Sequence, residues 1–167
     1  PSLTARNEAS VADWEIAQIS AWLKHGISER GTALGPMAEV VYQSTQHLRD
    51  DDAQAMATYL KALAPSATPL TTNAAASRKA DAQSEKLYVD HCSKCHGDKG
   101  EGKPGAFPAL AGNRAVTMAN TTNLIRVVLA GGFAPATTGN PQPHGMPPYY
   151  HLLSDAEIAK LLTFVRS

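Results

Sequence analysis

The chain has 167 residues, 43% of them hydrophobic, which is enough material for one medium or two small packed domains. Its 15 basic and 15 acidic residues give a formal net charge of zero. That balance argues against a nucleic-acid-binding protein and gives no electrostatic bias toward membrane surfaces. The sequence shows neither a run of the roughly 20 apolar residues that a membrane span needs nor a signal peptide. An exported protein would therefore be represented here by its mature form or by a part of it.

The first 64 residues are predicted to be helical. A capping-box pattern at Ser10-Val11-Ala12-Asp13 predicts a helix that ends near Gly26. Asp50 or Asp51 is predicted to cap a second helix that runs to about Leu63. An irregular loop that contains Met37 is expected between the two helices.

A predicted linker follows at residues 65–78, with the sequence PSATPLTTNAAASR. It is rich in Pro, Thr and Ala and has no apolar periodicity, which is typical of a linker. The chain is therefore predicted to consist of a segment 1–64, this linker and a domain 79–167.

The second part is also predicted to be helical, so the predicted fold class is all-α. Helices are expected near 80–91 and from Thr121 or Thr122 to Gly131-Gly132. Residues 97–112 and 131–148 are rich in Gly and Pro, and long irregular loops of this kind usually enclose something. A capping box at Ser154-Asp155-Ala156-Glu157 predicts a final helix with one apolar face, formed by Ile158, Leu161, Leu162 and Val165.

The segment Cys92-Ser93-Lys94-Cys95-His96 has the C-x-x-C-H spacing of a covalent c-type haem site. Both thiols can add to vinyl groups of one porphyrin, and the adjacent imidazole is then carried beneath the iron. These are the only two cysteines of the chain. Haem attachment has two alternatives here: a disulfide between the two cysteines, or a zinc site with His91 as a further ligand. A thioredoxin-like motif would need a βαβ context, and the sequence does not predict one.

The second axial iron ligand is predicted to be Met146, in the sequence His144-Gly145-Met146-Pro147-Pro148-Tyr149. A thioether paired with imidazole stabilises reduced iron and raises the potential. His144 is the nearest rival and would give two imidazole ligands. The remaining candidates are Met118, His151 and His91.

Several other residues are predicted to complete the haem site. The Pro108 carbonyl is expected to bond the second ring nitrogen of His96 and to fix its tautomer. Arg114, with Asn113 and Arg126, is expected to bind the haem propionates. The apolar wall is predicted to consist of Leu87, Leu110, Leu124, Val128, Phe133 and Tyr149.

The two parts of the chain also resemble one another. An offset of 105 positions pairs Leu48 with Leu153 and Asp50 with Asp155. Further upstream, an offset of 106 pairs residues 23–26 with 129–132. Residues 1–64 are therefore interpreted as the back half of a second haem domain, without the half that carries a haem attachment motif.

The motifs together resemble the class I cytochrome c fold across residues 79–167. They are CSKCHGDKGEG, FPALAGN, GMPPY and LSDAEIAKLLTFV. Residues 11–64 resemble the back half of the middle haem domain in the three-haem cytochrome subunits of membrane-bound dehydrogenases. By that resemblance Met37 lies where the middle domain keeps its axial methionine.

The resemblance implies one covalent haem c in a periplasmic electron carrier, with Cys92 and Cys95 as thioether residues and His96 and Met146 as axial ligands. Its implied partners are a quinoprotein or flavoprotein dehydrogenase on one side and quinone or an oxidase on the other. Membrane association would come only through parts missing from this sequence. A homodimer through residues 1–64 is a further hypothesis, because apolar residues of that segment lack a haem of their own. A haem enzyme or gas sensor with a displaceable sixth ligand is the alternative function.

Overall fold

The computed structural model describes residues 4–5, 8–63 and 81–167, so the predicted linker 65–78 lies outside the described residues. The described chain is mostly helical, as predicted, and its strands form two short antiparallel pairs. The helices are α1 (Ile16–His25), α2 (Pro36–Gln43), α3 (Asp50–Ala62), α4 (Ala82–His91), α5 (Ser93–His96), α6 (Arg114–Thr117), α7 (Thr122–Ala130) and α8 (Asp155–Val165), with a 3₁₀ turn at Thr45–His47. The strands are β1 (Ile27–Ser28), β2 (Gly31–Thr32), β3 (Gly132–Phe133) and β4 (Gly145–Met146).

Local capping explains where the helices of the second part begin. The predicted capping box of α8 is present, since Ser154 N donates to Glu157 Oε2 at 2.8 Å and Glu157 N donates to Ser154 Oγ at 3.4 Å. Helix α4 has a second capping box between Asp81 and Ser84. Side chains satisfy the first amide groups in both cases, so the two helix starts are set by sequence alone.

The predicted capping box at Ser10 was wrong. Helix α1 begins six residues later at Ile16, and its capping box joins Glu15 and Gln18. The Ser10 hydroxyl instead accepts from Ala12 N at 3.1 Å, two residues ahead, in a local turn. The Asp13 carboxylate instead binds two arginine side chains.

Two other predictions for the first part were also wrong in detail. Met37 lies in the first turn of helix α2, which starts with Pro36 at its first position, and not in an irregular loop. Helix α3 has the predicted extent, but its cap residue is Arg49 and makes no side-chain cap. The aspartates 50–52 lie inside the first turn, where they complement the helix dipole.

Each part has its own hydrophobic core. In the first part α1 packs on α3, and Ile19 and Ala57 are fully buried between them. In the second part α4 packs on α8, and Leu161 is only 1% exposed. That second core consists of Leu87, Tyr88, Cys92, Val128, Tyr149, Leu153, Ile158, Leu161 and Leu162.

The two parts also contact one another directly. Thr137 Oγ1 donates to the carbonyl of His25 at 3.1 Å. Gly26 has a positive φ of 72° and lies so close to Pro135 that an added Cβ would be 2.2 Å from Pro135 Cγ. A side chain at Gly26 would therefore push the two parts away from each other.

Among the helices described here, none has both the length and the apolar character to cross a bilayer.

Candidate haem site

A cavity of about 450 Å³ lies between the two parts of the chain. Loops 106–116 and 144–149 and helices α7 and α8 line it from the second part, and Val11, Trp14 and Trp22 line it from the first. The predicted thioether residues Cys92 and Cys95 and the predicted axial ligands His96 and Met146 all line this cavity, and so do Pro108, Arg114 and Tyr149.

The haem motif forms a tight turn of helix at the end of α4. Cys92 ends α4 and begins α5, and its carbonyl accepts from the amides of Cys95 at 3.2 Å and His96 at 2.9 Å. Both thiols are free, Cys95 is exposed, and Cys92 is 8% exposed. Burial, with the nearby Cys95 sulfur, raises the pKa of Cys92 to about 11. The Cys92 thiol is therefore protonated at neutral pH and lies in an apolar setting.

The His96 ring is oriented by the predicted hydrogen bond. Its Nδ1 atom lies 2.9 Å from the carbonyl oxygen of Pro108. A carbonyl oxygen can only accept, so Nδ1 carries a proton, and in the neutral ring Nε2 then keeps its lone pair. That tautomer leaves Nε2 as the nitrogen available to a metal.

Gly102 allows the Pro108 carbonyl to reach His96. It has a φ of 70°, and an added Cβ would lie 2.6 Å from Ala109 N and 2.7 Å from Phe107 O. Its amide also donates to the His96 carbonyl at 2.7 Å. Only glycine fits where the loop crosses itself so closely, which explains the Gly-rich sequence after the motif.

Tyr88 supports the motif from helix α4, and the sequence analysis missed it. Its hydroxyl donates to the carbonyl of Gly97 at 2.6 Å, and its ring lies 5.2 Å from that of Phe164. Tyr88 is one helical turn before Cys92, on the same face of α4. That spacing was the available signal for its role.

Met146 is held at the cavity by a two-residue sheet. Gly132 of β3 pairs with Met146 of β4 in antiparallel register. Gly131 has a φ of 68°, and an added Cβ would lie 2.2 Å from the Met146 carbonyl oxygen. The pair of glycines at 131–132 thus lets the segment with Met146 approach the end of helix α7.

The structure separates the rival ligands. His144 also lines the cavity, and its ring stacks on Phe107 at 4.7 Å. Met118 is 9% exposed and packs outside the lining of this cavity. His151 packs against Tyr150, which is 67% exposed, and it does not line the cavity either. His91 lines the cavity as well, and its ring lies 5.7 Å from that of Tyr149. Met146, His144 and His91 are therefore the candidates with access to the site.

Tyr149 closes the cavity beside the motif. Its hydroxyl donates to the carbonyl of His91 at 2.6 Å. Burial, together with the sulfurs of Cys92 and Cys95, raises the pKa of Tyr149, so its hydroxyl remains protonated at neutral pH. Tyr149 therefore ties the segment after Met146 to the helix that precedes the haem motif.

The predicted apolar wall is only partly correct. Leu110, Leu124, Val128 and Tyr149 line the cavity, whereas Leu87 belongs to the core behind it. The prediction for Phe133 was wrong, because its side chain is 71% exposed. Gly132 takes the register position opposite Met146, so the next residue, Phe133, pairs with Gly145 and points to the other face.

Arg114 is bound by a residue of the first part. The Asp13 carboxylate forms ion pairs with Arg114 and, at 3.0 Å, with Arg30. Asn113, predicted to bind propionates, instead caps α6, where its side chain accepts from Ala115 N at 3.0 Å. Arg126, the third residue of that prediction, does not line the cavity. Arg114 is thus the one member of the predicted trio that is a cationic lining residue.

The Asp13 ion pairs are expected to make stability depend on pH. Burial raises the pKa of Asp13, but the hydrogen bond and charge of Arg114, with Arg30, outweigh it and hold the pKa below the ordinary 3.8. The stabilisation is therefore present above about pH 4 and is lost as pH falls through the lower folded-state value.

Asp13→Asn should accordingly lower the free energy of unfolding at pH 7, by less than about 1 kcal/mol for such an exposed pair, and have no effect near pH 2. Denaturant unfolding of the haem-loaded protein at both pH values measures this. Asp51→Asn, which breaks a 3.9 Å surface contact to Arg49, is the control. An equal effect of Asp13→Asn at both pH values would contradict the assignment.

The donor set fits haem and not zinc. A closed zinc site needs four ligands. Among residues 4–5, 8–63 and 81–167, the structure places no group of three or more His, Cys, Asp or Glu side chains so that it could hold a metal ion. The cavity volume is within the range of about 300–1,000 Å³ for cofactor sites, and its walls are largely apolar. Two thiols, an imidazole with a free Nε2 and a thioether on one such cavity match a c-type haem.

The sequence matches the cytochrome c family over residues 82–167, just over half of the chain. The chain belongs to the cytochrome c family. Cytochrome c domains hold haem c covalently and transfer electrons. Electron transfer through covalently bound haem c is therefore the general function of the chain.

Cytochrome c subunits of dehydrogenases from several bacteria match along nearly the whole chain. The cytochrome c subunits of alcohol dehydrogenase (quinone) from Gluconacetobacter polyoxogenes and Gluconobacter oxydans are 35% and 34% identical, over 100% and 99% of this chain. The gluconate 2-dehydrogenase cytochrome c subunit of Pantoea cypripedii is 32% identical over 99% of this chain. The matched regions are only 38%, 36% and 40% of those proteins, so this chain spans well under half of their length. All three relatives are named as cytochrome c subunits of dehydrogenases.

Proposed function

We propose that this chain transfers single electrons through one haem c attached to Cys92 and Cys95, with His96 and Met146 as axial ligands. The observation that carries the proposal is the shared cavity, which is lined by all four of these side chains. Bound haem supplies an iron that cycles between the ferric and ferrous states. Electron transfer of this kind does not require a bond to be formed or broken in a substrate.

The residues of the site divide this work between them. The Pro108 carbonyl holds His96 in the tautomer that offers Nε2 to iron. The short sheet β3–β4 presents the Met146 thioether, a ligand that raises the potential. Leu110, Leu124 and Val128 exclude water and so prevent competing reactions at the iron.

We further propose that residues 1–64 are the back half of a second cytochrome c domain, followed by a linker 65–78 and a haem domain 79–167. Helices α3 and α8 both begin at positions that the 105-residue offset relates, Asp50 and Asp155. Leu161 of α8 is 1% exposed in the core shared with α4, whereas its repeat equivalent Met56 on α3 is 41% exposed. Helix α3 therefore exposes a methionine at the position whose equivalent in α8 is a core leucine.

Exposed apolar residues of the first part support the homodimer hypothesis. Val40, Tyr42, Met56 and Tyr59 are each at least 41% exposed on α2 and α3, and a second copy of the chain would cover them.

The partners and location follow from the relatives. Because similar chains are cytochrome c subunits of dehydrogenases for alcohols and gluconate, we propose that this chain takes electrons from such a dehydrogenase and passes them to quinone or an oxidase. The periplasm is the proposed location, since c-type haem is attached outside the bacterial inner membrane.

Spectroscopy of the haem-loaded protein tests the proposed function. After expression in a host that matures c-type cytochromes, the purified protein should carry one haem by intact mass and titrate as one reversible one-electron couple. The ferrous form should resist carbon monoxide, because Met146 already fills the sixth position. An intact mass equal to that of the bare chain would refute the attachment, and rapid carbon monoxide binding would favour the gas-sensor alternative.

A further inference from the structure

The cavity has one charged cluster at its lining, and this cluster joins the two parts of the chain. It consists of Arg30, Asp13 and Arg114, and we call it the arginine clasp. Arg30 Nη2 donates to Asp13 Oδ2 at 3.0 Å, while Arg114 Nη2 binds the other carboxylate oxygen, Oδ1. Two guanidinium groups from different parts of the chain thus converge on one carboxylate.

Both arginines of the clasp line the cavity. In the described part of the chain they are the only arginine or lysine side chains that do so. Glu29 also lines the cavity, but its Oε2 accepts from Gln18 Nε2 at 3.3 Å, on helix α1. The positive charge available to a ligand in this cavity is therefore concentrated at Arg30 and Arg114.

The cofactor of the proposed function has charge of the opposite sign. A haem has two propionate carboxylates on the porphyrin edge opposite its two vinyl-derived thioethers, and the remaining ring surface is apolar. The ring would pack on the Leu and Val lining, so the propionates need cationic groups on elements other than the motif helix. An arginine has five N–H donors in a planar fork, so the Arg30 guanidinium, which binds Asp13 through Nη2, has further donors for a second carboxylate.

We propose that Arg30 is a second propionate anchor of the haem, supplied by the first part of the chain and oriented by Asp13. The first part is then a component of the haem site and not only its neighbour. Arg30 is half-exposed, at 46% of its side chain, so its removal should leave the two hydrophobic cores intact. This inference rests on the proposed haem site and adds a residue that the haem domain alone does not contain.

The reduction potential of the haem-loaded protein tests Arg30. Removing a positive charge beside the propionates favours the ferric state, so Arg30→Gln should lower the equilibrium constant for reduction by about three- to tenfold, tenfold being about 59 mV for one electron. Arg30→Lys keeps the charge and should stay within about twofold of the wild type. Arg49→Gln removes an equal charge from a surface arginine outside the cavity, 82% exposed, and should leave the potential unchanged.

Resonance Raman spectra separate direct binding from a general loosening of the fold. The propionate bending bands should shift in Arg30→Gln, which removes the guanidinium, and in Arg30→Lys, because a point charge cannot reproduce the guanidinium fork. They should not shift in Arg49→Gln. The proposal would be overturned if haem-loaded Arg30→Gln kept the wild-type potential and if both Arg30 variants kept the wild-type propionate bands. A wild-type protein without haem would instead refute the proposed function, so the two failures are distinct.

Discussion

Replacing His96 with alanine is expected to abolish normal iron ligation and to destabilise the second part of the chain. The imidazole is the ligand that the haem motif itself supplies, and its Nδ1 is already bonded to Pro108 at 2.9 Å. Loss of residues that merely orient a ligand typically costs about 10–100-fold in metal affinity, so loss of the ligand should cost more. Metal binding is coupled to folding, so the thermal unfolding midpoint should fall as well.

The visible spectrum and thermal unfolding of purified His96→Ala measure both effects. His144→Ala is the matched control, since it removes an imidazole that lines the same cavity and stacks on Phe107. His151→Ala removes an imidazole outside the cavity lining. If His96→Ala kept a wild-type spectrum and midpoint, or if His144→Ala caused the same loss, His96 would not be the proximal ligand.

Replacing Met146 with alanine is expected to remove the far-red absorption band from methionine sulfur to ferric iron. The reduction potential should also fall, by on the order of 0.1 V within the span of about 0.8 V that axial ligands set. The reason is that water or His144 would replace a soft thioether that stabilises ferrous iron. Carbon monoxide should then bind the reduced form.

Two methionines provide controls for this result. Met118→Ala removes a buried methionine outside the cavity lining, and Met37→Ala removes the methionine in the first turn of α2. Both variants should keep the far-red band, although Met118→Ala should lose stability because it leaves a void. Persistence of the band in Met146→Ala would refute this ligand, and its loss in Met118→Ala or Met37→Ala would reassign it.

Sequence reasoning located most of the helices and the motif at the centre of the site. Where a helix start depends on a side chain three residues away, as at Ser154 and Glu157, the prediction is confirmed. The same reasoning failed at Ser10, since a contact 101 positions away, from Asp13 to Arg114, competes with the local cap. It also failed at Phe133, where the register with Gly145 decides which face a side chain takes.

Local sequence patterns also predicted the main residues of the haem site. Cys92, Cys95, His96 and Met146 were each predicted in this way, and the structure brings them to one cavity, while their roles as ligands stay predictions. The hydrogen bond from His96 to Pro108 was expected from the chemistry of a ligating imidazole and is present. Tyr88 was missed although its spacing from Cys92 is regular, because nothing local indicated that its hydroxyl reaches the Gly97 carbonyl.

The sequence by itself determined the cofactor chemistry, because thiol addition to vinyl groups and imidazole ligation need only the short spacing C-x-x-C-H. It also determined the helical class, because capping and apolar periodicity act over a few residues. Only the tertiary structure decided that Trp14, Trp22 and Arg30 line the same cavity as the haem motif. The position of these three side chains depends on packing against residues distant in the sequence, such as Arg114, which lies 84 positions after Arg30. No local sequence pattern encodes such packing.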